Sequence, residues 1–305
     1  MTKKDQTLSF LLRRFEEAGI QPRHKLGQNF LMDMNLQKLL VRRADIQETD
    51  IILEVGTGTG GVTVQMAPLA RKVITVELDP QLFILAGEEL QDFENVVALQ
   101  TDILKNKNNL NPIVLDEINR ARAENPESDL KLVANLPYNV ATPIMSNLLG
   151  LECPPKSMTV TIQKEVGDRM MAQPGTKDYG ALSIWFQSQA EVEIVRIMPP
   201  GVFFPPPKVY SAIIHVDFMP EKRENIRDLR LFHEFIRAMF FHRRKFLRSE
   251  LLSAFKGRLQ KTEVDAVLEK LNLSGECRAE ELDVPTMIQL CDEMNRMAQQ
   301  RSSLS

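Results

Sequence analysis

Four consecutive residues, Asn135-Leu136-Pro137-Tyr138, combine an amide, a stiff turn and an aromatic ring. The side-chain oxygen of Asn135 and the main-chain carbonyl of Leu136 are acceptors, and Pro137 restricts Leu136 to extended backbone. Two acceptors fixed in this way could take both N–H groups of one amine. The chemistry this suits is reaction at an exocyclic adenine amine, whose lone pair is delocalised into the ring and must be localised before it can attack. Tyr138 could stack on the base, an interaction of about 1 to 3 kcal/mol. Taken alone, the quartet also reads as an ordinary turn after a strand.

A second constellation precedes it. Glu54-Val55-Gly56-Thr57-Gly58-Thr59-Gly60-Gly61 forms a strand-to-helix turn in which Gly56, Gly58 and Gly61 satisfy G-x-G-x-x-G, so the backbone can approach a ligand closely. Glu77 ends the next strand, where a carboxylate can accept both hydroxyls of a ribose diol. Asp102 follows the third strand, where it could accept from an adenine amino group or simply cap a turn. Gly56, Gly58, Glu77 and Asp102 fit a dinucleotide as well as an adenosyl cofactor. The Asn135 quartet, which has no task in hydride transfer, distinguishes the two. Each of these groups falls at a predicted strand end, and that joint placement is far more specific than any one of them.

The elements that must position these residues alternate. Strands are predicted at Ile51 to Val55, Val73 to Glu77, Val96 to Gln100, Leu130 to Ala134 and Met158 to Gln163, with helices after Gly60 and from Pro80. This order implies a parallel sheet with right-handed crossovers. Glu191 to Ile197 and Val209 to Val216 flank the proline-rich Pro199 to Pro207 and predict an edge hairpin. The stretch from Asn106 to Asp129 reads as a polar connection with one amphipathic segment (Ile113, Leu115, Ile118). Leu8, Leu11, Leu12 and Phe15 predict a leader helix. Beyond about Pro220 only helical periodicity remains, on Leu231, Phe235 and Met239 and then on Val264, Val267, Leu268 and Leu271. The expected organisation is a leader helix and closing loop over 1–32, a Rossmann-like domain over 33–220 and a small all-helical domain over 221–305.

Composition sets the remaining bounds. With 305 residues, 43% hydrophobic and 26% charged, the chain is expected to be globular rather than disordered. No stretch approaches the apolar length of a membrane span, and Met1 to Asp5 lacks the apolar run of a secretory signal, which predicts a cytoplasmic protein without a membrane partner. Three scattered cysteines (Cys153, Cys277, Cys291) and four histidines without metal-site spacing predict no disulfide framework and no metal. A net charge of -3 does not announce nucleic-acid binding. Basic residues nevertheless cluster at Arg237, Arg243, Arg244, Lys245 and Arg248, and again at Arg13, Arg14, Arg23, His24 and Lys25. Each cluster reads as a solvated helix face or as a phosphate-binding patch.

Together the motifs resemble the ribosomal RNA adenine dimethyltransferase family, in particular its bacterial small-subunit branch. The resemblance runs from about His24 to Leu251 and is carried by His24-Lys25-Leu26-Gly27-Gln28-Asn29-Phe30-Leu31, the glycine turn, Glu77, Asp102, the quartet, Gln163-Lys164-Glu165-Val166, Tyr179-Gly180 and Phe203 to Val209. It implies S-adenosylmethionine as methyl donor, with Asn29 and Leu31 closing over its methionine end, Gly56 and Gly58 lining its pocket, Glu77 on ribose and Asp102 on adenine. Asn135 would touch both donor and target amine, and Phe203 would be the second aromatic clamping the base beside Tyr138, the other reading of Phe203 being hydrophobic packing of the proline turn. The implied substrate is two neighbouring adenosines near the 3′ end of small-subunit rRNA, presented within a preassembled subunit and gripped through Arg243, Arg244 and Lys245; a monomer is expected, though no motif in the sequence specifies the oligomeric state. Thr57 stands where the family commonly has proline, and Tyr210 where it commonly has an acidic or amide residue. A nicotinamide oxidoreductase, a DNA adenine methyltransferase and a non-catalytic RNA assembly factor are the rival readings.

Overall fold

The computed structural model describes residues 8–17, 19–23, 27–242 and 244–302. Its backbone divides into two compact units, one ending at Gly167 and resuming over Glu193–Phe218, the other made of Asp168–Val192 and the chain from Met219 onward.

The strands in chain order are β1 (Phe30–Leu31), β2 (Ile51–Val55), β3 (Lys72–Glu77), β4 (Val96–Gln100), β5 (Leu104–Asn106), β6 (Asn109–Leu110), β7 (Leu130–Asn135), β8 (Ser157–Gln163), β9 (Ala190–Met198), β10 (Phe203–Phe204) and β11 (Ser211–Phe218). Seven of them form one sheet in the order β4-β3-β2-β7-β8-β11-β9. β2, β3, β4, β7 and β8 pair in parallel, and β11 runs antiparallel to β8. β2, β3, β7 and β8 are covered on both faces, which is why β2 and β7 are almost continuous apolar runs rather than alternating ones. The order reverses between β2 and β7, so the carboxyl ends of these two strands flank the crevice where a ligand is expected in such sheets.

The first unit's helices are α1 (Leu8–Glu17), α2 (Met34–Arg43), α3 (Thr63–Met66), α4 (Pro80–Leu90), α5 (Pro112–Glu124), α6 (Ala141–Leu149) and the start of α7 (Lys164–Met171). Asp33 caps α2 and Asp79 caps α4, each accepting two main-chain N–H groups. The polar connection after β4 contains a true crossover helix, α5, capped by Asn111. Its buried face is Val114, Glu117, Ile118 and Ala121, whereas Ile113 is exposed. Behind the sheet's amino-terminal edge Lys131 and Asp50, both buried, pair at 2.8 Å.

The second unit contains α8 (Ala181–Gln187), α9 (Pro220–Arg223), α10 (Leu229–Met239), α11 (Leu247–Ala254), α12 (Lys261–Lys270) and α13 (Val284–Ser302). Phe232, Phe235, Ile236 and Met239 of α10, Leu251 of α11 and Val264 and Val267 of α12 supply its core. Residues 168–192, which the sequence reading keeps with the first domain, belong to this unit. Tyr179 is fully buried and donates to the Leu282 carbonyl at 2.9 Å, and Trp185 stacks on His233.

Candidate active site

An open cleft at the carboxyl edge of the sheet is lined by Gly27 to Phe30, Gly56, Gly58, Glu77, Asp102, Asn135, Pro137 and Asn139, among others. The sequence-predicted Asn29, Gly56, Gly58, Glu77, Asp102 and Asn135 thus meet in one place, all within the first unit.

The floor is the glycine turn. Gly56 and Gly58 have φ of +83° and +58°, backbone that non-glycine residues rarely adopt. A Cβ on Gly58 would stand 3.3 Å from the Phe30 ring, so the leader segment lies directly on the turn. The Gly58 N–H donates to Glu77 Oε2 at 2.9 Å and the Asp79 N–H to Oε1 at 2.8 Å. Glu77 is therefore fixed by main-chain donors, with Leu78 adding a third, and part of its roughly four-site acceptor capacity stays open for hydroxyls. Burial raises its pKa, while the hydrogen bonds from Asp79 and Gly58 act against that rise. Asp102 is exposed and takes the Leu104 N–H on Oδ1 at 2.8 Å. It both caps a turn and lines the cleft, so the two readings of this residue are compatible.

The leader loop forms the roof. β1 pairs antiparallel with β10, placing Phe30 opposite Phe204 and Leu31 opposite Phe203. Gln37 donates to the Leu31 carbonyl at 2.6 Å and receives a bond from Gln65, which ties the loop to the helix after the glycine turn. Gly27, with φ of +68°, packs so closely that an added Cβ would lie 2.6 Å from Asn139 Oδ1 and 3.1 Å from the Tyr138 nitrogen. His24, Lys25 and Leu26 of the leader motif lie outside the described residues.

At the far wall, Asn135 Nδ2 donates to the Asn29 carbonyl at 2.8 Å. That partner fixes the amide's orientation, and its other end, Oδ1, is buried with no hydrogen-bond partner. Most buried side-chain polar atoms are paired, so an orphan acceptor in a cleft is notable. Leu136 is buried, with its N–H on the Thr161 carbonyl at 3.2 Å. The Tyr138 hydroxyl is hydrogen-bonded to Ser211 Oγ, and burial, partly offset by that bond, pushes its pKa up to about 12. Its ring meets Phe203 edge-on at 6.3 Å. Phe203 is only 3% exposed and packs with Leu31, Leu40 and Ile213 in the core, so hydrophobic packing describes its present setting. Tyr210, by contrast, is 57% exposed.

One group escaped the sequence reading. Glu54 is wholly buried in β2, and its Oε2 accepts from Thr63 Oγ1 and Thr75 Oγ1, both at 2.6 Å, while Thr57 bonds Thr75 at 2.6 Å. Burial dominates over the two hydroxyl bonds and raises its pKa to about 7. This network underlies the glycine turn and gives the Thr57 hydroxyl a task that proline could not perform. An acid inside the apolar run Ile51-Ile52-Leu53-Glu54-Val55 was the available signal.

The basic cluster is in the second unit. Arg244 and Lys245 are exposed in the loop after α10, Arg248 pairs with Asp265, and Arg243 lies outside the described residues. Among the described residues no helix is long and apolar enough to cross a membrane, and no group of three or more His, Cys, Asp or Glu could hold a metal ion.

Residues 19–290 match the family model described as ribosomal RNA adenine dimethylase. The chain is 38% identical to ribosomal RNA small subunit methyltransferase A of Clostridium acetobutylicum, covering 89% of this chain and 93% of that protein. It is 37% identical to the protein of that name from Listeria monocytogenes, covering 90% and 91% respectively. Among solved structures it resembles a dimethyladenosine transferase from Plasmodium falciparum, with a TM-score of 0.73 at 24% identity over 88% of this chain and 98% of that one. The 23S rRNA methyltransferase ErmE gives a TM-score of 0.59 at 23% identity over 88% and 100%. These two likenesses establish the fold, a Rossmann-like methyltransferase sheet with a helical C-terminal part.

Proposed function

Because the chain belongs to the ribosomal RNA adenine dimethylase family, we propose that it methylates the N6 amine of two adjacent adenosines near the 3′ end of small-subunit rRNA, yielding N6,N6-dimethyladenosine. It acts as a cytoplasmic monomer on a preassembled subunit, with S-adenosylmethionine as donor. Membership in this family leaves the nicotinamide reading without support.

The observation that carries the mechanism is the unpartnered Oδ1 of Asn135. A buried acceptor without a donor costs about 1 to 3 kcal/mol, and a target amine that supplies the N–H removes that cost. The site's residues fit the donor. Gly56 and Gly58 would allow its close main-chain approach, Glu77 would accept from ribose, Asp102 would accept from the adenine amino group, and Asn29, with Leu31 buried behind it in β1, would close over the methionine end. When bound, S-adenosylmethionine supplies a sulfonium methyl that is already activated toward a nucleophile.

The protein's own contribution is position. Asn135 Oδ1 and the Leu136 carbonyl accept the amine's N–H groups and turn its lone pair toward the methyl. Tyr138 stacks on the base, held in rotation by Ser211 and braced at its edge by Phe203. With its pKa raised to about 12, Tyr138 is neutral and is no base, and the methylated nitrogen releases its proton to water. Arg244 and Lys245, with Arg243 on sequence grounds, contact phosphates.

The decisive experiment is tritiated-methyl transfer to unmethylated small subunits followed by nucleoside analysis. Label recovered as N6,N6-dimethyladenosine is expected. No transfer to subunits, or preferential transfer to duplex DNA, overturns the reading.

A further inference from the structure

The helical unit, which resumes at Met219 directly after the last strand of the first unit, carries a surface loop, residues 240–246, between α10 and α11. Phe241 is 76% exposed and Phe246 50% exposed, the first being the most exposed large hydrophobic side chain among the described residues. Phe246 occupies the N-cap position of α11, where Ser, Thr, Asp or Asn would satisfy a free N–H, and it makes no side-chain cap bond. Phe241 meets the neighbouring His242 ring, itself exposed, edge-on at 4.7 Å, and both phenylalanines carry the cost of apolar surface left in water.

The charge around the rings is of one sign. Phe241 to Ser249 contains no acidic residue. Arg248 is engaged by Asp265 through two bonds of 2.5 and 2.9 Å, whereas Arg244 and Lys245 are exposed and make no ion pair among the described residues. The loop is firmly anchored: Met239 and Leu247 at its ends are buried, Phe240 meets Tyr179 edge-on at 6.3 Å, and the Lys245 N–H closes a turn on the His242 carbonyl at 2.9 Å. Exposed rings interleaved with free cations on a fixed support match a single-stranded nucleic acid, which offers a phosphate chain for the cations and open base faces for the rings. In a duplex those faces are covered. A second copy of this chain is disfavoured, because its own cations would be brought against these.

We propose that Phe241 and Phe246 form a stacking platform for unpaired bases of the RNA substrate, with Arg244 and Lys245 on the flanking phosphates. The proposal rests on the rRNA reading above and adds a base-contacting surface to it. Stacking makes a contribution that salt does not screen, so rings and cations are separable by experiment.

The test uses the full chain, a fluorescein-labelled unstructured 12-nucleotide RNA and the same strand annealed to its complement, read by fluorescence anisotropy across a salt series. The double variant F241L/F246L keeps apolar bulk and loses the aromatic faces. It should bind the single strand about tenfold more weakly with the salt slope unchanged, leave duplex affinity within about twofold, and be rescued by F241Y/F246Y. R244Q/K245Q should instead flatten the slope by about 1.4, roughly 0.7 per phosphate. Single-strand affinity unchanged in F241L/F246L, equal loss on both RNAs, or no rescue by tyrosine overturns the platform. So does sedimentation that finds a wild-type dimer dispersed by F241L/F246L with RNA affinity intact. Methyl transfer to immature subunits is measured on the same preparations. A wild type that transfers nothing overturns the rRNA reading, whereas a wild type that transfers while F241L/F246L binds RNA normally overturns the platform alone.

Discussion

In the free protein Asn135 makes one side-chain hydrogen bond, to the Asn29 carbonyl, and holds Oδ1 buried and unpaired. Asn135→Ala removes both features. Loss of the bond destabilises the fold by about 1 kcal/mol, and removal of the orphan acceptor stabilises it by about 1 to 3 kcal/mol. The two effects nearly offset, so the unfolding free energy should stay within about 2 kcal/mol of wild type. In the proposed mechanism catalysis has no such compensation, because the target amine loses an acceptor preorganised at the reacting atom. Deleting one such group typically lowers the rate by about 10²- to 10³-fold. Donor affinity should fall modestly, about fivefold, since the leader loop loses one anchor. Single-turnover tritiated-methyl transfer at saturating donor reads the rate, calorimetry the donor affinity and urea unfolding the stability. A rate within about threefold of wild type refutes the role of Oδ1. A variant that loses its rate only because it unfolds refutes the offset.

Glu54 is expected to make stability depend on pH. Its folded pKa, about 7, exceeds the ordinary 4.5, so the folded protein keeps a proton that the unfolded chain has released between those values. That stabilisation is complete below about pH 4.5 and lost as pH rises through about 7, a change of about 3 kcal/mol. Urea unfolding of wild type and E54Q should differ by an amount that varies over this window, and a pH-independent difference rejects a protonated Glu54. Gly27→Ala forces a Cβ against the Asn139 amide and the Tyr138 main chain in left-handed backbone. Donor affinity by calorimetry should drop at least about tenfold, the equivalent of about 1.4 kcal/mol of strain, and unchanged affinity removes the leader loop from the pocket. Lys131→Met strands the buried Asp50 carboxylate. Unfolding free energy should fall by about 3 to 5 kcal/mol with donor affinity intact, because the pair is at the opposite end of the strands from the glycine turn.

What the sequence revealed follows burial. A strand such as Ile51 to Val55 was legible almost to the residue because both its faces are covered, which leaves it little freedom to be anything else. The two-residue strands β1 and β10 were not, since pairing of Phe30 with Phe204 and Leu31 with Phe203 is long-range and leaves no periodicity. α5 escaped because its solvent face carries much of the apolar signal, including exposed Ile113, while Glu117 turns inward to Lys72. Residues 168–192 gave no hint of joining the helical unit, because membership is decided by partners far along the chain. In the site, residue types indicated the amide, the acid and the ring, but left Phe203 open between clamp and core and did not show that burial raises the Glu54 pKa. Those depend on desolvation, which a sequence states only indirectly.

The β1–β10 ribbon has a consequence for the order of assembly. Proteins are synthesised from the N-terminus, and β1 emerges before every strand of the main sheet. Its partner, Phe203–Phe204, is made only after β2, β3, β4, β7 and β8 have been synthesised. Most of the parallel sheet can therefore pair while the leader still lacks the strand that holds it over the glycine turn. On the proposed reading of the cleft, the donor pocket gains its roof only after that strand is made, so donor affinity would report a first unit advanced well beyond its parallel sheet.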